Sequence, residues 1–154
     1  MQKKYSREIL NKVERMGGKF VLNYHLQETT EEEILSLWES EYYGMEDYGQ
    51  PDEYFKEEHK YNFNQVIVPM GKWKYDEVVS AIIRDKYRED EMEAITNNLA
   101  AVNAMFFQTL VSEGIVEAIQ YLRDSYKSED TERFKEMQEW RALAKKEARE
   151  IFKI

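Results

Sequence analysis

The chain has 154 residues, of which 34% are charged, with a formal net charge of −9 and no cysteine. That length suits one domain and buries about two thirds of the surface its unfolded chain exposes, while the lack of cysteine excludes disulfides, thiolate metal sites and cysteine nucleophiles. No run approaches the ~20 apolar residues of a membrane helix and the opening MQKKYSREIL has no signal-type stretch, so a soluble, non-secreted protein without membrane contact is expected.

Ile9, Leu10, Val13 and Met16 recur at helical spacing and predict a short amphipathic helix over Tyr5–Met16, with Ser6 as its cap and Gly17–Gly18 as its stop. Phe20, Leu22, Tyr24 and Leu26 then alternate along Lys19–Leu26, which predicts a strand with one buried face and with Val21 and His25 on the other. Thr30 followed by Glu33 is the capping-box pair and starts a helix over Glu31–Glu41 with Ile34, Leu35 and Trp38 inward. Its first-turn glutamates suit the helix dipole and point in different directions, so a solvated turn is expected rather than a metal site.

Residues 28–58 hold twelve acids against Lys56, so the whole negative excess sits there. Positive charge does not cluster beyond a short N-terminal excess and the last helix turn, and no direct nucleic-acid binding is expected. From Trp38 to Phe63 eight aromatic residues are interleaved with the acids, and Gly44, Gly49 and Pro51 predict an irregular, tyrosine-rich loop over residues 39–61 with one helical turn after Pro51. Tyrosine offers a large contact area with few rotors and a polar tip. Trp38, Tyr42, Tyr43, Tyr48, Tyr54 and Phe55 are therefore the candidate partner contacts. The alternative is that these rings cover the domain's own core.

Asn62–Val68 reads as a second strand, ended by Pro69 and Gly71. Tyr75, Val78, Val79, Ile82, Ile83 and Tyr87 form one face of a helix, and Met92, Ile95, Leu99, Val102 and Phe106 restart the pattern behind the acidic turn Glu89–Glu93. The second helix carries on through Leu110 to Ser112, where Gly114 ends it. Ile115, Ala118, Ile119, Leu122 and Tyr126 mark a further short helix, and Ser128 is a cap for the C-terminal helix in residues 128–154. That helix runs from Thr131 to about Phe152 with a stripe of Phe134, Met137, Trp140, Ala144, Ala148 and Ile151 and a basic end; docking on its own domain and on a second copy both stay open. The expectation is an α+β, mostly helical single domain over residues 1–154, with a small two- or three-stranded sheet.

No phosphate-binding glycine loop, nucleophile elbow or paired metal-ligand motif occurs. His25 and His59 stand far apart in sequence, and no catalytic, cofactor or metal residue is assigned.

The run Ile83-Arg84-x-Lys86-Tyr87, then Asp90-Glu91-x-Glu93-Ala94-Ile95, then Phe134-x-Glu136-Met137-x-Glu139-Trp140-Arg141-x-Leu143-Ala144-Lys145, resembles small tail-region proteins of bacteriophages and prophages. The match covers about a third of the chain. It departs from that group at Arg88, where Ser or Thr caps the second helix, and over Asn103–Lys127, where the group is shorter. The resemblance implies a non-enzymatic structural or assembly protein without cofactor, acting on other virion or assembly proteins and on copies of itself, in the host cytoplasm during assembly and in the virion. The acid-rich segment leaves two other readings: a decoy that mimics DNA, provided its acids face outward in an extended row, and a small carboxylate enzyme using His25 or His59.

Overall fold

The computed structural model describes residues 3–43, 49–125 and 128–154, the side chains of Ser128 and Glu129 excepted. The expectations for Gly44, Tyr48 and Tyr126 fall outside them, and the C-terminal helix, expected from Thr131, already begins at Ser128. Four strands, β1 (Lys4–Ser6), β2 (Val13–Met16), β3 (Lys19–Glu28) and β4 (Tyr61–Pro69), form one antiparallel sheet in the order β1-β4-β3-β2. The fold is α+β and mostly helical, as the patterning implies, but the sheet is larger than two or three strands.

The extra strands come from the segment read as the first helix. Tyr5–Met16 is not helical: Tyr5 pairs with Asn62 and Val13 with Leu22. A helix of that length is marginal alone, whereas pairing along β3 and β4 satisfies the same backbone groups. Gly17–Gly18 does not stop a helix but closes the β2–β3 hairpin between paired Met16 and Lys19, with Gly17 at φ +61. Residues 7–12 join β1 to β2 across the face that carries Asn23, whose Nδ2 donates to the Asn11 carbonyl at 2.9 Å.

Along β3 the faces alternate as far as Tyr24, but both are covered, Val21 and Asn23 being buried as well as Leu22 and Tyr24, and His25, expected on the face opposite Tyr24, lies beside Trp140 as Tyr24 does. Between Tyr24, opposite Asn64, and Gln27, opposite Asn62, the strand takes one extra residue, and His25 adopts φ 52 there. The buried carboxylate of Glu147 meets this bulge, accepting the His25 backbone N–H at 3.4 Å and an ion pair from Lys12 Nζ at 2.9 Å.

Among the described residues six α-helices follow the first hairpin, α1 (Glu31–Glu41), α2 (Glu53–Glu58), α3 (Tyr75–Lys86), α4 (Glu89–Ser112), α5 (Ile115–Ser125) and α6 (Ser128–Phe152), with a 3-10 turn at Met70–Lys72. α1, α3 and α4 fall where their caps and periodicity place them. α4 opens without a side-chain cap, its start being closed by Glu91, which accepts the Arg88 backbone N–H at 2.9 Å. The C-terminal helix docks on its own domain: Val78, Val79 and Ile82 of α3 and Trp140, Ala144 and Ala148 of α6 bury against Leu22, Tyr24 and Val68 of the sheet. Inside this core Trp140 Nε1 donates to the Ile82 carbonyl at 3.0 Å and Tyr24 Oη to Asp85 Oδ2 at 2.6 Å. α6 lies closest along α3, and Lys86 places its ammonium 4.8 Å over the Trp140 ring.

Candidate functional site

The aromatic, acidic segment folds as two helices fastened to the sheet. Thr30 caps α1, its Oγ1 accepting the Glu33 N–H at 3.3 Å. Glu33 does not complete the capping box. Its carboxylate instead turns to Lys3 Nζ (2.9 Å), Tyr5 Oη (2.9 Å) and Asn62 Nδ2 (3.2 Å), tying α1 to β1 and β4. Burial would raise the Glu33 pKa, but the hydrogen bonds from Lys3 and Tyr5 outweigh it and hold it below the usual value. Burial and the same carboxylate push the Tyr5 hydroxyl up to about 12. α2 is longer than the single turn expected and is capped by Asp52, which accepts the Phe55 N–H at 2.8 Å.

Between these anchors the rings stack in one continuous series. Tyr5 lies 5.2 Å from His59, His59 4.2 Å from Phe55, Phe55 4.9 Å from Trp38 and Trp38 4.2 Å from Tyr42, centroid to centroid. Two of these contacts, Trp38–Tyr42 and Phe55–His59, join residues four apart on one helix. His59 is fixed by its Nδ1, which donates to the Phe55 carbonyl at 2.9 Å. The other histidine sits in a separate setting, edge-on to Trp140 at 6.1 Å. Among the described residues no group of three or more His, Asp or Glu side chains is arranged to hold a metal ion.

The six candidate contacts thus divide. Trp38 and Phe55 are buried in the stack, Tyr42 is half-buried, and Tyr43 and Tyr54 stand 90% and 67% exposed. Tyr48 is not among the described residues. Phe55, Tyr54 and Tyr42, with His59 and Trp38, line an open hollow of about 300 Å³ whose other walls carry Glu41, Asp52 and Glu58. Arg7 reaches its rim, 2.8 Å from Glu58 and 5.5 Å over the Tyr54 ring. Two further hollows of about 400 and 360 Å³ border the same helices, but their walls hold Lys56 and no aromatic ring. The smaller hollow is the one with contact chemistry: aromatic rings beside the Glu41 carboxylate suit the ammonium or guanidinium of a partner, and Arg7, over the Tyr54 ring and paired with Glu58, shows that mode of contact within the chain.

What sequence reasoning missed is His59 as a member of the stack and Glu33 as its anchor. The i,i+4 spacing of Phe55 and His59 was the available signal for the first. No family model, curated protein or solved structure matches the chain.

Proposed function

We propose that the protein is non-enzymatic and works by docking, taking a Lys- or Arg-bearing segment of a partner at the hollow between α1 and α2. The setting that the motifs of residues 83–95 and 134–145 suggest is a phage or prophage tail region, where the partners are other virion or assembly proteins. The observation that supports docking is exposed Tyr54 on the wall of a hollow that is also lined by the stacked rings of Trp38, Tyr42, Phe55 and His59, with exposed Tyr43 next in the chain to Tyr42. Rigid aromatic anchors lose little conformational entropy on binding, and a cation held between rings and carboxylates is strongly oriented.

The decoy reading needs an extended outward row of free carboxylates. Several acids of the segment are instead engaged by the chain itself: Glu33 by Lys3 and Tyr5, Glu57 and Glu58 by Arg7, and Asp52 as a helix cap. This tie-back favours a contact surface over a mimic of the DNA backbone.

The test is quantitative mass spectrometry of purified particles induced from the encoding organism, paired with binding of the wild-type chain and a Tyr43→Ala/Tyr54→Ala variant to the individual tail-gene products. Docking predicts a fixed ratio to tail proteins, or a bound assembly partner, and at least about a tenfold weaker partner in the variant, the loss expected for two interface tyrosines. Absence from particles together with no binding to any tail product overturns the proposal. Displacement of DNA from a basic protein by the wild-type chain would favour the decoy.

A further inference from the structure

Among the described residues the hairpin of α4 and α5 has one flank without a partner, on elements separate from the α1–α2 hollow. From Ala94 to Leu122 the only charged residues are Glu113 and Glu117, in a chain one third charged. The two helices pack on each other and are joined through Glu113 and Gly114, the glycine at φ +104, so they run antiparallel. At 100° per residue, Phe107 and Val111 lie roughly 100° and 140° round α4 from Phe106, and Ile115 and Ile119 roughly 60° and 100° round α5 from buried Ala118. Rotation in the same sense on two antiparallel helices brings both pairs to one flank. They are 62%, 87%, 64% and 42% exposed, respectively. Exposed Ala100, Asn103 and Ala104 extend the flank along α4 without charge, while Glu117 falls on the opposite side.

We infer that this flank is a self-association surface, on which the same hairpin of a second copy seats to complete a four-helix bundle. Area and charge both select a second copy. The four side chains expose roughly 500 Å² per copy, more than half of the ~800 Å² that one partner gives a standard interface, and the uncharged alanine-bearing surface beside them supplies room for close helix approach. Each copy carries −9, so two copies repel wherever their acidic surfaces meet. A like copy approaches at least cost through a surface free of carboxylates, and this flank is one. A two-fold axis there makes the contact self-complementary, apolar stripe on apolar stripe.

The experiment is sedimentation velocity on the full chain from about 1 to 200 μM at low and high sodium chloride, with Val111→Asp/Ile115→Asp as the comparison. Both positions are exposed, so the variant is expected to keep the wild-type far-UV circular dichroism; Phe107→Asp serves as a second variant if it does not. The wild type should dimerise in that range, and more tightly at high salt, because screening removes the repulsion between acidic copies. The variant should be at least tenfold weaker. A wild type that stays monomeric throughout, a variant that dimerises unchanged, or a flank that is covered only when another tail protein is added would each overturn the assignment.

Discussion

Replacing Tyr24 by Phe removes a single oxygen from the fully buried centre of the core. In the native chain that oxygen donates to Asp85 Oδ2 at 2.6 Å, a hydrogen bond to an acidic side chain. Such bonds contribute about 1.5–3 kcal/mol; Asp85 is only half-buried and water can reach it in the variant, so the lower end, about 1.5 kcal/mol, applies. For a chain of this size that corresponds to a Tm lower by about 3–6 °C. Urea unfolding followed by tryptophan fluorescence should give a lower midpoint with an unchanged slope. The pH dependence is a second check. Burial, then the Asp85 carboxylate, push the Tyr24 hydroxyl well above its ordinary pKa of 10.0, so above pH 10 the unfolded chain ionises this group while the folded chain keeps it protonated. The contribution is therefore complete below pH 10 and lost as pH rises beyond it, and the gap between wild type and variant should narrow there. A loss under about 0.5 kcal/mol at neutral pH, or a gap that stays constant above pH 10, would refute the assignment of that hydrogen bond.

Trp38→Ala should cost about 3–5 kcal/mol, since Trp38 holds the centre of the ring stack, whereas Tyr43→Ala should stay within about 0.5 kcal/mol; thermal unfolding of the two side by side separates the buried from the exposed aromatic. Gly17→Ala meets no atom within 4 Å but must hold φ +61, and should cost about 1 kcal/mol in the same assay through backbone strain alone. Lys12→Ala leaves Glu147 buried without its cation and should destabilise by about 2 kcal/mol, less than for a fully buried pair because Lys12 is half in water, with Glu147→Gln in the same background recovering part of the loss. Burial would lower the Lys12 pKa, but Glu150 and Glu147 raise it above 10.5; its contribution is present below that pH and declines above it, as stability measured between pH 9 and 12 would reveal.

Helix positions were legible where a local signal fixed them. Thr30 with Glu33 marked the start of α1, and the 3-4 spacing from Met92 with Gly114 beyond it marked the length of α4. The error at residues 5–16 has a physical source: Ile9, Leu10, Val13 and Met16 satisfy a helical period, but Lys4 and Val13 find their partners at Phe63 and Leu22, pairings that no local pattern records. The Gly17–Gly18 pair is equally a helix stop and a two-residue hairpin turn. In the candidate site the residue types were legible and the directions were not. Trp38 and Tyr43 look alike in a list of aromatics, yet stacking with Phe55 turned one inward and left the other in water. Periodicity likewise identified Ile115 and Ile119 as one stripe of α5 without saying what covers it.

The placing of β1 and β2 also bears on solubility. Both are short, three and four residues, and they cover one end of each side of the ten- and nine-residue ribbon made by β3 and β4, Lys19–Leu22 and Tyr61–Phe63. A single stretch of chain, residues 4–16, thus guards both margins of the sheet. Whenever it is loose, two long rows of unpaired amide and carbonyl groups lie open to strands from other molecules, the geometry from which aggregates grow. Residues 4–6 also leave the ribosome more than fifty residues ahead of the strand they guard. During synthesis β1 is therefore made first but cannot take its place until β4 has followed.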